Sequence, residues 1–202
     1  MKLNVPVIGI LRGVDPGFFP QLLQAAFRAG LQAIEVTMNT PGAEQMLRDN
    51  MHLVPDGCYL GMGTVRNRDE ARLAISAGAM FLVTPNTDEK AIDYSRRHST
   101  PIVAGAYTPS EVYRAWSAGA DMVKVFPCPG PKYIKDLLGP MDEVPLVAVG
   151  GVKRDNLQQF LDAGAVAVGV GNSLFGADVL QSQDADGVYR HMCAYLEGVP
   201  AT

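Results

Sequence analysis

The stretch AGADMVKV, residues 118–125, decides how the chain is read, because it ends a helix and runs directly into a strand. Ala118 closes an amphipathic segment, Gly119 supplies the left-handed residue that terminates helices, and the apolar run Asp121–Phe126 follows. The same junction recurs as AGLQAIEV (29–36), AGAMFLV (77–83) and AGAVAVGV (163–170). A single Ala-Gly helix end is commonplace. Four copies at similar intervals, each in phase with a strand, point to a doubled βαβα unit.

Working outward from these junctions, eight short apolar runs are found: Val5–Leu11, Ala33–Thr37, Cys58–Met62, Met80–Thr84, Pro101–Gly105, Asp121–Phe126, Pro145–Val149 and Ala165–Val170. Their length and β-branched content suit buried parallel strands. The repeats fall before the second, fourth, sixth and eighth. Helical stretches lie between them. Phe18–Arg28 opens after Asp15-Pro16-Gly17, Asp69–Ala77 after Asn67, and Asp88–His98 after Asn86-Thr87. Pro109–Ala118 follows Thr108, and Asp155–Ala163 follows Arg154. Polar caps, first-turn acids and prolines satisfy or complement free N–H groups at several of these starts. Eight strand–helix units in 202 residues predict an α/β fold, a single-domain (β/α)₈ TIM barrel spanning 1–202. A doubly wound open sheet is the competing architecture, but it usually has five or six strands.

Composition narrows the function. The chain is 48% hydrophobic with a net charge of −4, and its basic residues are scattered, so neither a nucleic-acid stripe nor a polybasic membrane segment is present. No run reaches the roughly 20 apolar residues that span a bilayer. The N-terminus lacks a secretory core and cleavage site. Cys58, Cys128 and Cys193 have neither disulfide-framework nor metal spacing. The chain reads as soluble and cytoplasmic.

Two strands carry charge where a barrel should be apolar. Ile34-Glu35-Val36 and Val123-Lys124-Val125 each flank a charged residue with apolar ones. Alternation sends the flanking residues toward the helices and Glu35 and Lys124 into the barrel. Strands two and six face each other across an eight-stranded ring, so an acid and an amine converge. The plainer alternatives are a structural ion pair or a lysine that snorkels out. A lysine held among apolar neighbours has a lowered pKa, and its free amine attacks ketones to form an iminium that stabilises an adjacent carbanion. Glu35 is then placed to move protons.

A second constellation lies after strands seven and eight, where barrels often hold phosphate. Val149-Gly150-Gly151 and Gly169-Val170-Gly171-Asn172-Ser173 offer close backbone N–H approach, and a helix is expected to open at Ser173. His52 sits in a loop, while His98 and His191 fall on helices away from the strand ends; no set has metal-ligand spacing. No metal or cofactor is expected. Cys128, without a histidine partner, reads as a packing residue.

Taken in order, GILRG (9–13), IEVTMNTP (34–41), GMGTV (61–65), LVTPN (82–86), TPSE (108–111), VKVFP (123–127), AVGG (148–151) and GVGNSL (169–174) resemble the 2-keto-3-deoxy-6-phosphogluconate / 4-hydroxy-2-oxoglutarate aldolase family over nearly the whole chain. The resemblance implies class I cleavage of a 2-keto-3-deoxy sugar acid, 6-phosphorylated, to pyruvate and an aldehyde such as glyceraldehyde 3-phosphate. It makes Lys124 the Schiff-base residue and Glu35 the general acid/base. Thr64 and Pro85 would line the pyruvate pocket, with Phe126 beside the lysine. Arg12, Gly150, Gly151, Gly171, Asn172 and Ser173 would surround the carboxylate or phosphate. It also implies a homotrimer. Asn39 stands where many gluconate-type enzymes have Arg, which leaves the pyruvate carboxylate to Arg12 and Thr64. Val149 stands where they tend to have Thr, and an apolar side chain there alters which C4 stereoisomer is held. Both departures lean toward the 2-keto-3-deoxy-6-phosphogalactonate branch, although Phe126–Tyr133 is shorter than expected of it. The alternatives are a 4-hydroxy-2-oxoglutarate aldolase, a phosphate-binding barrel isomerase or epimerase, and a non-catalytic barrel. Buried charges weigh against the last.

Overall fold

The computed structural model describes Met1 and residues 3–200; the expected span 1–202 also takes in Lys2, Ala201 and Thr202, which lie outside the described residues. Strands and helices alternate as β1 (Val7–Leu11), α1 (Phe19–Arg28), β2 (Ala33–Thr37), α2 (Ala43–Asn50), β3 (Tyr59–Gly63), α3 (Arg68–Ser76), β4 (Leu82–Val83) and α4 (Glu89–Arg97). The second half continues as β5 (Ile102–Ala106), α5 (Pro109–Ser117), β6 (Met122–Val125), α6 (Pro131–Leu138), β7 (Leu146–Val149), α7 (Leu157–Asp162) and β8 (Ala167–Val170). After β8 the chain is broken into three helices, α8 (Asn172–Phe175), α9 (Ala177–Gln181) and α10 (Ala185–Leu196). All strand pairs are parallel, and β8 closes on β1 with Ile8 opposite Gly169, giving a closed (β/α)₈ barrel. No helix among the described residues is long and apolar enough to cross a membrane.

The four repeated junctions have one geometry. Gly30, Gly78, Gly119 and Gly164 have φ of 96°, 97°, 94° and 102°. In each, the glycine N–H and the next N–H return to carbonyls of the last helical turn, as in Gly119 to Trp116 at 2.8 Å and Ala120 to Ala115 at 3.2 Å. This double closure satisfies the helix's free carbonyls and aims the chain at the next strand. Helix starts are set as specifically. Asn67 accepts from Glu70 N–H, and Thr108 and Glu111 form a reciprocal capping box. The helix expected from Asp155 starts instead at Leu157. Asn156 accepts from Lys153 N–H at 2.7 Å and donates to the Gly151 carbonyl at 3.0 Å, so the segment ahead of it is held as a turn. Strand four is shorter than Met80–Thr84. Past Val83 the Thr84 hydroxyl donates to the Asn86 carbonyl and accepts from Gly105 N–H, bending the chain out of the ladder.

The apolar residues divide into two cores. A large one between sheet and helices holds Ile34, Val36, Val123 and Val125. A smaller one fills the barrel interior with Ile8, Ala33, Phe81, Val83, Val103, Val147, Val149 and Ala167. Glycines on the inner wall make the packing possible: a Cβ at Gly61 would lie 2.6 Å from the Phe81 ring.

Candidate active site

Ile34 and Val36 face the helices, so Glu35 between them faces the axis; Val123 and Val125 set Lys124 the same way. Glu35 and Lys124 line one narrow recess with Ile8, Ile10, Val83, Val103, Val147, Val149 and Gly169. Glu35 is 1% exposed and Lys124 7%. A side chain at Gly63 would place its Cβ 2.5 Å from the Glu35 carboxyl carbon, so glycine at the end of β3 gives that carboxyl its room. One carboxylate oxygen, Oε2, is buried without a hydrogen-bond partner. A closed structural ion pair would have used it.

Burial pushes the Glu35 carboxyl above the ordinary carboxylate range, with the Lys124 and Arg12 charges pulling partly back. Burial likewise pushes the Lys124 ammonium below the ordinary lysine range; Glu35 opposes this and Arg12 adds to it. Both shifts run toward the neutral forms, a free amine beside a protonated acid. Lys124 Nζ lies 4.8 Å from the centroid of the Phe126 ring, which is 41% exposed. Arg12 Nη2 donates to Thr64 Oγ1 at 3.5 Å. Thr64 has φ of 58°, a left-handed backbone that a β-branched residue adopts only when its surroundings hold it there. Pro85 leaves β4 with its backbone against Gly105, where a Cβ would collide with the Pro85 carbonyl carbon.

Arg12 and Asn172 line a larger recess, about 350 Å³, with Asp15, Phe18, Leu180 and Gln181. Its Leu11 and Arg12 directly follow Ile10 of the inner recess, and the Arg12 charge reaches both Glu35 and Lys124. Gly150 and Gly151, with φ of 106° and 70°, follow β7, and Gly171 and Ser173 follow β8, so both pairs rim the same mouth without lining either recess. The helix expected at Ser173 opens one residue earlier, with Gly171 at its cap. Val149, 7% exposed, is a wall of the inner recess. One expectation needs correction: His191, expected away from the strand ends, bonds through Nε2 to the Ser173 carbonyl at 3.0 Å. It lies nearly two turns into α10 (Ala185–Leu196), and nothing local in the sequence tells how α10 folds back. Gly63, the last inward position of β3, and Thr84 were also missed as supports of the site; neither carries a local signal of what it meets across the barrel. Among the described residues no group of three or more His, Cys, Asp or Glu could hold a metal ion. The buried Cys128 thiol donates to the Gly130 carbonyl at 3.7 Å.

A closed parallel barrel with a buried acid and amine at one mouth has the architecture of an enzyme that works at the C-terminal ends of its strands. The profile of the KDPG and KHG aldolase family matches residues 3–191, and the chain belongs to that family. It is 32% identical over 201 residues to the 2-dehydro-3-deoxy-6-phosphogalactonate aldolase of Escherichia coli K12, covering 98% of each chain. It is 28% identical to a 2-dehydro-3-deoxy-phosphogluconate aldolase of Pseudoalteromonas atlantica, over 90% of this chain and 85% of that one. A solved structure described as native KDPGal superposes with a TM-score of 0.89 at 30% identity, over 98% of this chain and 95% of that chain. The aldolases so named are aldehyde-lyases.

Proposed function

We propose that the protein cleaves a 6-phosphorylated 2-keto-3-deoxy sugar acid to pyruvate and glyceraldehyde 3-phosphate through a Schiff base on Lys124. The observation that carries the reading is the inward, buried Lys124 beside a carboxyl with a free oxygen. The neutral amine adds to the C2 ketone, and Glu35 gives a proton to the departing hydroxyl as water leaves and the iminium forms. Glu35, now a carboxylate, takes the C4 hydroxyl proton. The C3–C4 bond breaks, its electron pair moving toward the iminium to give an enamine as the C4 oxygen closes to the aldehyde carbonyl and the aldehyde departs. Protonation at C3 and hydrolysis release pyruvate and restore the amine. A carboxyl whose pKa burial raises suits a group that must both give and accept a proton.

Arg12 and the hydroxyl of Thr64 are the carboxylate-binding pair in this reading, with Pro85 and Phe126 as walls of the pyruvate pocket. Gly150, Gly151, Gly171, Asn172 and Ser173 take the phosphate. Val149 favours the galactonate-type substrate, since an apolar wall offers nothing to a C4 hydroxyl directed at it; the 32% identity to a phosphogalactonate aldolase supports the same choice. We take the working enzyme to be a cytoplasmic homotrimer, for which the exposed Tyr107, Tyr113 and Phe126 offer apolar surface; analytical ultracentrifugation checks the assembly. The test of the function is borohydride reduction in the presence of pyruvate, followed by peptide mapping. An adduct of pyruvate on Lys124 is expected. No adduct, with turnover insensitive to borohydride but lost to a chelator, would transfer the chemistry to a metal.

A further inference from the structure

Two side chains of α10, one helical turn apart, converge on one residue of the rim. His191 Nε2 faces the Ser173 carbonyl at 3.0 Å; a carbonyl only accepts, so this nitrogen carries the proton. Tyr195 is 5% exposed, and its hydroxyl completes no hydrogen bond. Burial pushes the Tyr195 hydroxyl above the ordinary tyrosine range, the neighbouring Ser173 side chain pulls it partly back, and the charge of Asp155, from the segment after β7, adds to the rise. The two rings are tilted toward one another with centroids 6.5 Å apart. Gly176, just past α8, has to be small: a Cβ there would lie 3.0 Å from the His191 imidazole. Phe in place of Tyr195 would fill the same volume without leaving a buried hydroxyl unpaired, so the hydroxyl needs a reason.

We infer that Tyr195 and His191 are positioning residues for the phosphate end of the substrate, gripping Ser173 by its hydroxyl and its carbonyl. His191 fixes the backbone of the β8–α8 turn. Tyr195 donates to Ser173 Oγ once the bound anion has drawn the serine's own proton toward itself, so the two hydroxyls form a chain ending on a phosphate oxygen. This rests on the reading of the loops after β7 and β8 as the phosphate site.

The test compares Tyr195→Phe, Ser173→Ala and the unaltered enzyme on a phosphorylated 2-keto-3-deoxy acid and on its unphosphorylated counterpart, with thermal melting of each protein. For Tyr195→Phe, KM for the phosphorylated acid should rise roughly three- to tenfold, the span of one neutral hydrogen bond, while KM for the unphosphorylated acid stays within about twofold. The same KM shift for both acids, or a change in melting alone, would make Tyr195 merely structural and overturn the inference. Unchanged kinetics in Tyr195→Phe with a raised KM in Ser173→Ala would overturn it while leaving the phosphate site standing. If neither variant discriminates between the two acids, the phosphate-site reading falls and takes this inference with it.

Discussion

Gly63→Ala adds one methyl group to the end of β3, and the structure says where it goes. The new Cβ would sit 2.5 Å from the Glu35 carboxyl carbon and 2.7 Å from both of its oxygens. Ordinary contact begins near 3.4 Å, so the carboxyl must withdraw by about 1 Å. The backbone accepts alanine, because Gly63 is a strand residue that does not need a left-handed conformation. The atoms that yield are the tip of a side chain beside a recess, so the stability cost belongs at the low end of overpacking, about 1 kcal/mol. Catalysis has no such slack. A proton-transfer group misplaced by about 1 Å costs on the order of 10²-fold in rate. Pyruvate release, followed by reduction with a coupled dehydrogenase, should show kcat reduced by about that factor, while calorimetry shows melting lowered by only a few degrees. Borohydride trapping should still label Lys124. Turnover within threefold of the unaltered enzyme would refute the claim that Gly63 sets the position of a working Glu35.

Lys124→Ala should abolish both turnover and the borohydride adduct; near-normal cleavage in this variant would end the Schiff-base proposal. Imine formation needs the free amine, so the trapping rate should rise as pH climbs through the Lys124 pKa, which burial holds below the ordinary lysine value. Glu35 opposes that lowering and Arg12 adds to it. Glu35→Gln should therefore move the rise to lower pH and Arg12→Gln to higher pH, and shifts of the same sign would contradict the electrostatics. Glu35→Gln should also slow turnover by about 10²-fold or more while still permitting some pyruvate capture. Val149→Thr should raise gluconate-type cleavage relative to galactonate-type, measured as a ratio of kcat/KM values; an unmoved ratio removes Val149 from the stereochemical argument.

What the sequence displayed and what it concealed divide along physical lines. The four Ala-Gly junctions were legible because a helix end of this kind needs glycine at one position, and all four adopt the same left-handed φ. The inward direction of Glu35 and Lys124 was legible because period-two alternation survives inside a parallel strand when both flanking residues belong to the outer core. Local exceptions were hidden where a side chain competes with the backbone ladder. Thr84 ends β4 early through its own hydroxyl bonds, and Asn156 delays α7 by capping a turn. Contacts between distant segments left no local trace. Nothing near residue 191 shows that its imidazole reaches Ser173, and nothing in GMGTV shows that Gly63 faces the Glu35 carboxyl.

Because Ile34 and Val36 pack outward while Glu35 packs inward, residues adjacent in the chain answer to separate demands. Substitutions in the shell under the helices and substitutions on the barrel's inner wall share few partners, so their free energies should sum nearly independently. Heat tolerance can then be raised from the shell side alone, through helix caps and outward-facing packing, leaving rate and substrate preference as they were. Selection has the same freedom: the shell is free to drift under a requirement for durability while a handful of inner positions redirects the chemistry.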